Sequence, residues 1–470
     1  MISGFNALGL WYVLLLGAAL GVVAPIAQAG QLPEDPPDQT LLGPVARLMS
    51  IHPEHADNSD LEPIARAIGQ ARIVVLAQAS PDDGAALWAM TRLTRFLIRQ
   101  HGFSVVAFEA GLYDCRVMNF QFAAGTDPII AAPQGLSDSL ARSGFTSNLW
   151  RDTWRSYLTP RPIELCGFSP EFSGLRTARQ LPRDLLDFLG SIEPHPLSRD
   201  QRRTYLTALE RLNEAVQADD HAQVVRVWEH LNQLRSVLYA NREALQAATS
   251  ELEFAWWDRI VTDAVSNAQA LMRLAGDDSL VNRRAAIQRR MGEHFVWLAT
   301  EVYPGRRIIV WADSLTAVRG IDEITTNPMP TSNVPLVSAG QAWHKALGDD
   351  LYVLTLTTAG GSRGSIRGDA TMVPVPSADT LEARFAGLNW PFLFADLRTT
   401  DPREPGWEWL DQPQRSGMLG LGADVGLPSN ATARAMWRLH MDGVLFLRSA
   451  WPNSFEGRSP EGESHTVQSE

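Results

Sequence analysis

Four titratable side chains are of types that could do acid–base chemistry: Glu109 in "AFEAG", Asp313 in "VWADSLTAVRG", and Glu293 with His294 in "MGEHFVWL". A carboxyl group beside an imidazole or a second carboxyl is the equipment of general acid–base catalysis, in which water is activated against a carbonyl. Imidazole is the usual base because it titrates near ambient pH, whereas a carboxylate serves only where desolvation lifts its pKa. Glu109 and Asp313 each close a β-branched or aromatic run, a position that equally suits a helix cap or a solvated turn. Glu293 and His294 are adjacent in a helical pattern and point roughly 100° apart, so they cannot both face one point squarely. Convergence of Asp82, Glu109, His294 and Asp313 would give an acid–base pair or an oxygen- and nitrogen-rich metal site. The simpler alternative is a histidine hydrogen-bonded in the core.

These residues need a scaffold that brings strand ends together. Runs at 73–76, 104–108, 163–167, 307–312, 351–357, 392–396 and 443–447 read as strands. Several are apolar on both faces, as in strands covered by helices on either side. "LWAMTRLTRFLIRQ" has helical spacing between the first two, which makes a βαβ unit and a mainly parallel sheet. The expected fold is therefore α/β, with helices on both faces of that sheet. Residues 181–300 carry no strand signal and read as an all-helical insertion of four or five helices, dividing the α/β domain into 46–180 and 301–452. In such sheets catalytic groups sit at the carboxyl ends of strands. The first such end, "LAQASPDDG", offers Gln78, Ser80, Pro81 and two aspartates, but no base or nucleophile in an evident arrangement. Pro81 also lacks the N–H that could help bind an oxyanion.

The chain has 470 residues, 45% hydrophobic and 20% charged, enough to bury a large core. Its net charge of −12 argues against a nucleic-acid partner, since phosphate binding needs a basic face. An uncharged apolar run at 8–23, broken by Pro25 and followed by Ala27-Gln28-Ala29, fits a signal peptide over 1–29 cleaved before Gly30. The rival is an uncleaved anchor, for which the run is short of the ~20 residues that span a bilayer. Export to the periplasm or beyond is expected either way, with membrane contact only if the segment stays. Residues 30–45 form a Pro-rich acidic linker, and 453–470 a polar tail expected to be disordered. In that compartment Cys115 and Cys166 form either a disulfide or two buried thiols.

Weaker signals remain. "GGSRG" matches Gly-x-Ser-x-Gly with Ser362 after a strand, and Asp401 and His440 follow in the order of a hydrolase triad, but no helical pattern comes next. "HPEH" has ligand spacing without partner ligands. Trp256, Trp257, Trp297, Trp343, Trp390, Trp407 and Trp409 could line an apolar cleft or pack the core.

The order of these motifs resembles the erythromycin esterases. "DLEPIARAIGQARIVVLAQAS" is similar to that family's first strand, "GFSVVAFEAG" to its second, and "MGEHFVWL" to its Met-Ala-Glu-Asn helix. "RIIVWADSLTAVRG" resembles the strand ending Trp-Ala-His-Asn-Ala-His, and "GQAWHKALGDDLYVLTLT", "FLFADLR" and "MDGVLFL" follow in order. The resemblance implies an α/β fold with a helical domain, hydrolysis of cyclic esters such as macrolide lactones, and water activated by histidine with help from glutamates. No cofactor is implied beyond a divalent metal, which the family leaves open. Position by position the match is poor: the family's Gly-Glu stands as Ala77-Gln78, its histidine as Pro81, and the two later histidines as Asp313 and Thr316. Glu109, Glu293 and Trp311 are kept, and the Asn after Glu293 is His294. Losing a central base removes about 10²–10⁴-fold in rate. The expectation is an exported, divergent member, impaired as a macrolide esterase, that binds an apolar ligand. The alternatives are a hydrolase of another ester or lactone, rebuilt around Glu109, His294 and Asp313, and a serine hydrolase using Ser362.

Overall fold

All seven runs that read as strands are strands, each within three residues of the expected ends, and an edge strand precedes them. A computed structural model describes residues 45–172, 177–217, 221–272, 279–330, 334–398, 408–421, 426–427 and 431–456. The N-terminal apolar run, the residues before 45 and those beyond 456 lie outside these, whereas Asn453, at the start of the expected tail, is buried and hydrogen-bonded. The strands are β1 (Val45–Arg47), β2 (Ile73–Gln78), β3 (Val105–Gly111), β4 (Glu164–Ser169), β5 (Ile308–Asp313), β6 (Leu351–Thr358), β7 (Phe392–Asp396) and β8 (Gly443–Leu447). They form one sheet in the order β1-β7-β8-β6-β2-β5-β3-β4. The six from β8 to β4 are parallel, and β1 and β7 run antiparallel at one edge.

Every residue of β2 and β6 is buried, because helices cover both faces of the sheet. Side chains alternate between two cores: Ile73, Val75 and Ala77 enter one, and Val74 and Leu76 the other. On the second face lie α1 (Glu62–Ile68), α2 (Gly84–His101), α3 (Leu112–Ala123) and α4 (Ser147–Ser156). Between β4 and β5 the described residues form six helices, α5 (Thr177–Leu189), α6 (Arg199–Gln217), α7 (His221–Ala240), α8 (Arg242–Ala248), α9 (Glu251–Met272) and α10 (Ser279–Trp297). Their apolar stripes supply Leu185, Leu231, Trp257, Ile260 and Phe295 to the first core. Two further helices, α11 (Ala339–Leu347) and α12 (Leu381–Ala386), complete the frame of the site.

The tryptophans at 256, 257, 297, 343 and 409 are buried core residues, not lining of an open cleft; Trp407 is outside the described residues. Cys115 and Cys166 are both buried free thiols, and burial raises the pKa of each above that of an ordinary cysteine.

Candidate active site at the carboxyl edge of the sheet

Because β5 lies between β2 and β3, their carboxyl ends place Gln78, Asp313 and Glu109 side by side. Gln78 is the direct lateral partner of Asp313 in the ladder. From the other side, Glu109 Oε2 accepts the backbone N–H of Asp313 at 2.8 Å. Its Oε1 accepts the hydroxyl of Thr316 at 2.9 Å. The Thr316 oxygen in turn accepts from Gln288 Nε2 at 2.7 Å, and Gln288 Oε1 accepts the N–H of Ala339 at 2.9 Å. One chain of hydrogen bonds thus ties β3, the turn after β5, α10 and the start of α11.

That chain fixes the electrostatics. Burial lifts the Glu109 carboxyl, and the nearby Asp313 carboxylate lifts it further, from an ordinary 4.5 to about 8. The two hydrogen bonds and Arg284 oppose the rise without cancelling it. Glu109 is therefore mostly a neutral acid at neutral pH, next to a second carboxyl group. Thr316 is fully buried, its proton given to Glu109 and its oxygen engaged by Gln288. Gln78 Oε1 and Ser314 Oγ, by contrast, are buried and have no hydrogen-bond partner among the described residues. Such atoms are rare in native structures and mark the place where a ligand group or water is expected to bind.

The turn after β2 is built as a helix start. Asp83 caps α2, its Oδ1 accepting from the N–H groups of Ala85 and Ala86 at 3.0 and 3.2 Å. Its other oxygen takes Arg363 Nε at 3.3 Å, and Arg363 Nη2 reaches Thr358 Oγ1 at 2.6 Å. Asp82 accepts the Ser139 hydroxyl at 3.2 Å. A strap from residues 416–420 crosses the same turn: a β-carbon on Gly420, whose φ is 60°, would fall 2.2 Å from the carbonyl oxygen of Ala79. Glu382 anchors that strap, its Oε1 accepting from Thr357, Ser416 and Gly417 at 2.8, 2.5 and 3.1 Å.

The other expected members are elsewhere. His294 is fully buried, with Nδ1 against the carbonyl of Phe168 at 3.2 Å and Nε2 against Arg290 at 3.1 Å and Asp263 at 3.3 Å. Neither ring nitrogen is left for Glu109. Glu293, one residue earlier on α10, is 64% exposed and paired with Arg290, as the 100° step between neighbours requires. Ser362 lies on a two-residue strand paired with Thr371–Met372, so "GGSRG" is a hairpin and not the strand–helix elbow that exposes a nucleophile. His440 is buried with Nδ1 held on the carbonyl of Arg319 at 2.8 Å, and Asp401 is outside the described residues. His52 turns its Nδ1 to the N–H of Glu54. Among the described residues no three His, Cys, Asp or Glu side chains are grouped to hold a metal ion, so this donor set does not fit a metal centre.

The erythromycin esterase family model matches residues 98–450. The chain belongs to the erythromycin esterase family. No curated protein matches the sequence. Among solved structures, a Bacillus cereus protein from structural genomics superposes with a TM-score of 0.69 at 15% identity, covering 87% of this chain and 96% of that one. A succinoglycan biosynthesis protein gives 0.66 at 14%, covering 88% and 97%. A variant of the erythromycin esterase EreC in its open conformation gives 0.59 at 14%, covering 88% and 98%. At these identities the likeness is one of fold.

Of the residues gathered at this edge, sequence reasoning singled out Glu109 and Asp313 but not Gln288, Ser314, Arg363 or Glu382. A signal for Gln288 was present: it shares a stripe with Ala285, Met291 and Phe295, all buried, and is the polar member of an otherwise apolar face. Arg363 and Glu382 carry no such signal, because their partners are distant in sequence.

Proposed function

We propose that this protein is a divergent member of the erythromycin esterase family that binds a ligand at the carboxyl edge of its sheet and is impaired as a macrolide esterase. One observation carries the reading. Thr316, where the family has a histidine, is fully buried and spent between Glu109 and Gln288. No proton acceptor near neutral pH stands there, nor at Gln78 or Pro81, so histidine-activated attack by water has no agent. Gln78 and Ser314 supply the uncommitted polar atoms for a ligand. The N-terminal segment supports export, with a mature chain from Gly30.

A second reading rests on Glu109. A carboxyl that titrates at about 8 beside another carboxyl can donate a proton to a leaving group while its neighbour acts as base. The rebuilt site would then be the Glu109–Asp313 pair without His294, acting on an ester or lactone other than a macrolide.

Both readings meet in one assay: the purified mature chain, erythromycins and simple aryl esters, with and without divalent metal. Absence of turnover on every substrate supports the binding protein. Turnover that Glu109→Gln lowers by about 10²-fold or more establishes the carboxyl pair instead. Macrolide turnover that Glu109→Gln leaves untouched overturns both.

A further inference from the structure

A groove of about 560 Å³ lies between α4 and the segment before it, and shares no residue with the sheet-edge site. That volume suits a small organic ligand. Trp150 and Trp154, one turn apart on α4, form part of its wall. Their indole N–H groups are donated to the carbonyls of Leu140 and Gly125 at 3.3 and 3.2 Å, which fixes both rings. Ile129 and Phe455 line the same groove yet are 78% and 52% exposed, apolar surface that a ligand would cover.

The polar lining narrows the ligand. Asp127 Oδ1 accepts the N–H of Ile129 at 2.8 Å, and its carboxylate stays exposed at the rim. Ser143 donates to Asn453 at 2.6 Å, and Ser147 to the carbonyl of Gly144 at 2.8 Å. Arg142 is paired with Asp138 at 2.9 Å. Arg151 alone among the charged lining residues makes no hydrogen bond or ion pair among the described residues, and it is exposed. The groove thus offers aromatic and aliphatic surface with one uncommitted guanidinium. A guanidinium fork matches a carboxylate in two parallel hydrogen bonds.

We propose that this groove is a second binding site, for a small aromatic carboxylate whose ring lies among Trp154, Ile129 and Phe455 and whose anionic group meets Arg151.

Calorimetric titration of the full chain with 1-naphthaleneacetate, and with 1-naphthaleneethanol as its uncharged counterpart, tests this. Saturable binding of the acid is expected, weakened about ten- to a hundredfold by Arg151→Gln while the alcohol is unaffected. Ile129→Ser should weaken both, and Glu109→Gln neither. Both groove positions are exposed, so folding is not at risk. No saturable binding of the acid, or acid binding indifferent to Arg151→Gln, overturns the proposal. Loss of acid binding in Glu109→Gln would move the ligand to the sheet edge and overturn it equally.

Discussion

The hydroxyl of Thr316 is a donor to Glu109 at 2.9 Å, so a neutral side chain from the turn after β5 holds the buried carboxyl at the end of β3. With Gln288 behind it, Thr316 supports an acid and offers no base of its own. The predictions below follow from that pairing and from the packing around it.

Glu109 should make stability fall as pH rises from about 4.5 to about 8. Its folded pKa lies above its unfolded one, so in this window the folded state holds a proton that the unfolded state has lost. The stabilisation is complete below the unfolded pKa and disappears as pH passes the folded pKa, at a slope of up to about 1.4 kcal/mol per pH unit. Glu109→Gln keeps the shape and removes the titration. Urea unfolding at intervals from pH 4.5 to 8 should show wild type losing this increment relative to the variant, and parallel curves would contradict it.

Asp83→Ala should cost about 2–4 kcal/mol, since it removes the α2 cap and strands Arg363 without its carboxylate. Asp83→Asn keeps an acceptor for the cap and should cost less. Equal losses in chemical denaturation would mean that the ion pair, and not the cap, is what matters.

His294 should behave as a structural residue. His294→Ala leaves a cavity and removes a partner of buried Asp263, for a loss of about 2–4 kcal/mol. If any substrate is turned over, kcat/KM per folded molecule should be unchanged, and a selective loss of kcat would return His294 to the chemistry.

Cys115 and Cys166 should be silent in the native protein and both reactive after unfolding. Each is buried, and burial disfavours the reactive thiolate. Titration with a thiol reagent in denaturant without reductant should find two thiols, whereas none would reveal a disulfide.

Ser362→Ala should be nearly neutral, within about 0.5 kcal/mol, and without effect on any turnover, because its hairpin presents no nucleophile elbow. A selective loss of turnover would restore the serine hydrolase.

The sequence by itself determined the strands, the helical stretch between β4 and β5, and the residue types at the strand ends. These are local facts: periodicity 2 against 3.6, runs apolar on both faces, and residue types that can or cannot take a proton. It also placed Glu109 and Asp313 at strand ends, where a parallel sheet opens. What it could not decide was which groups face each other. The partners of Thr316 are 28 and 207 residues away, and Arg363 reaches Asp83 across 280. Nothing in a local pattern encodes such pairings. They arise because β5 inserts between β2 and β3, bringing three distant turns to one edge. The divergence of Glu293 and His294 follows from the helical step alone, and tertiary packing decided only that His294 faces β4 while Glu293 faces solvent. Tertiary packing, acting on groups that sequence had already supplied, made Glu109 a buried acid beside a second carboxyl group.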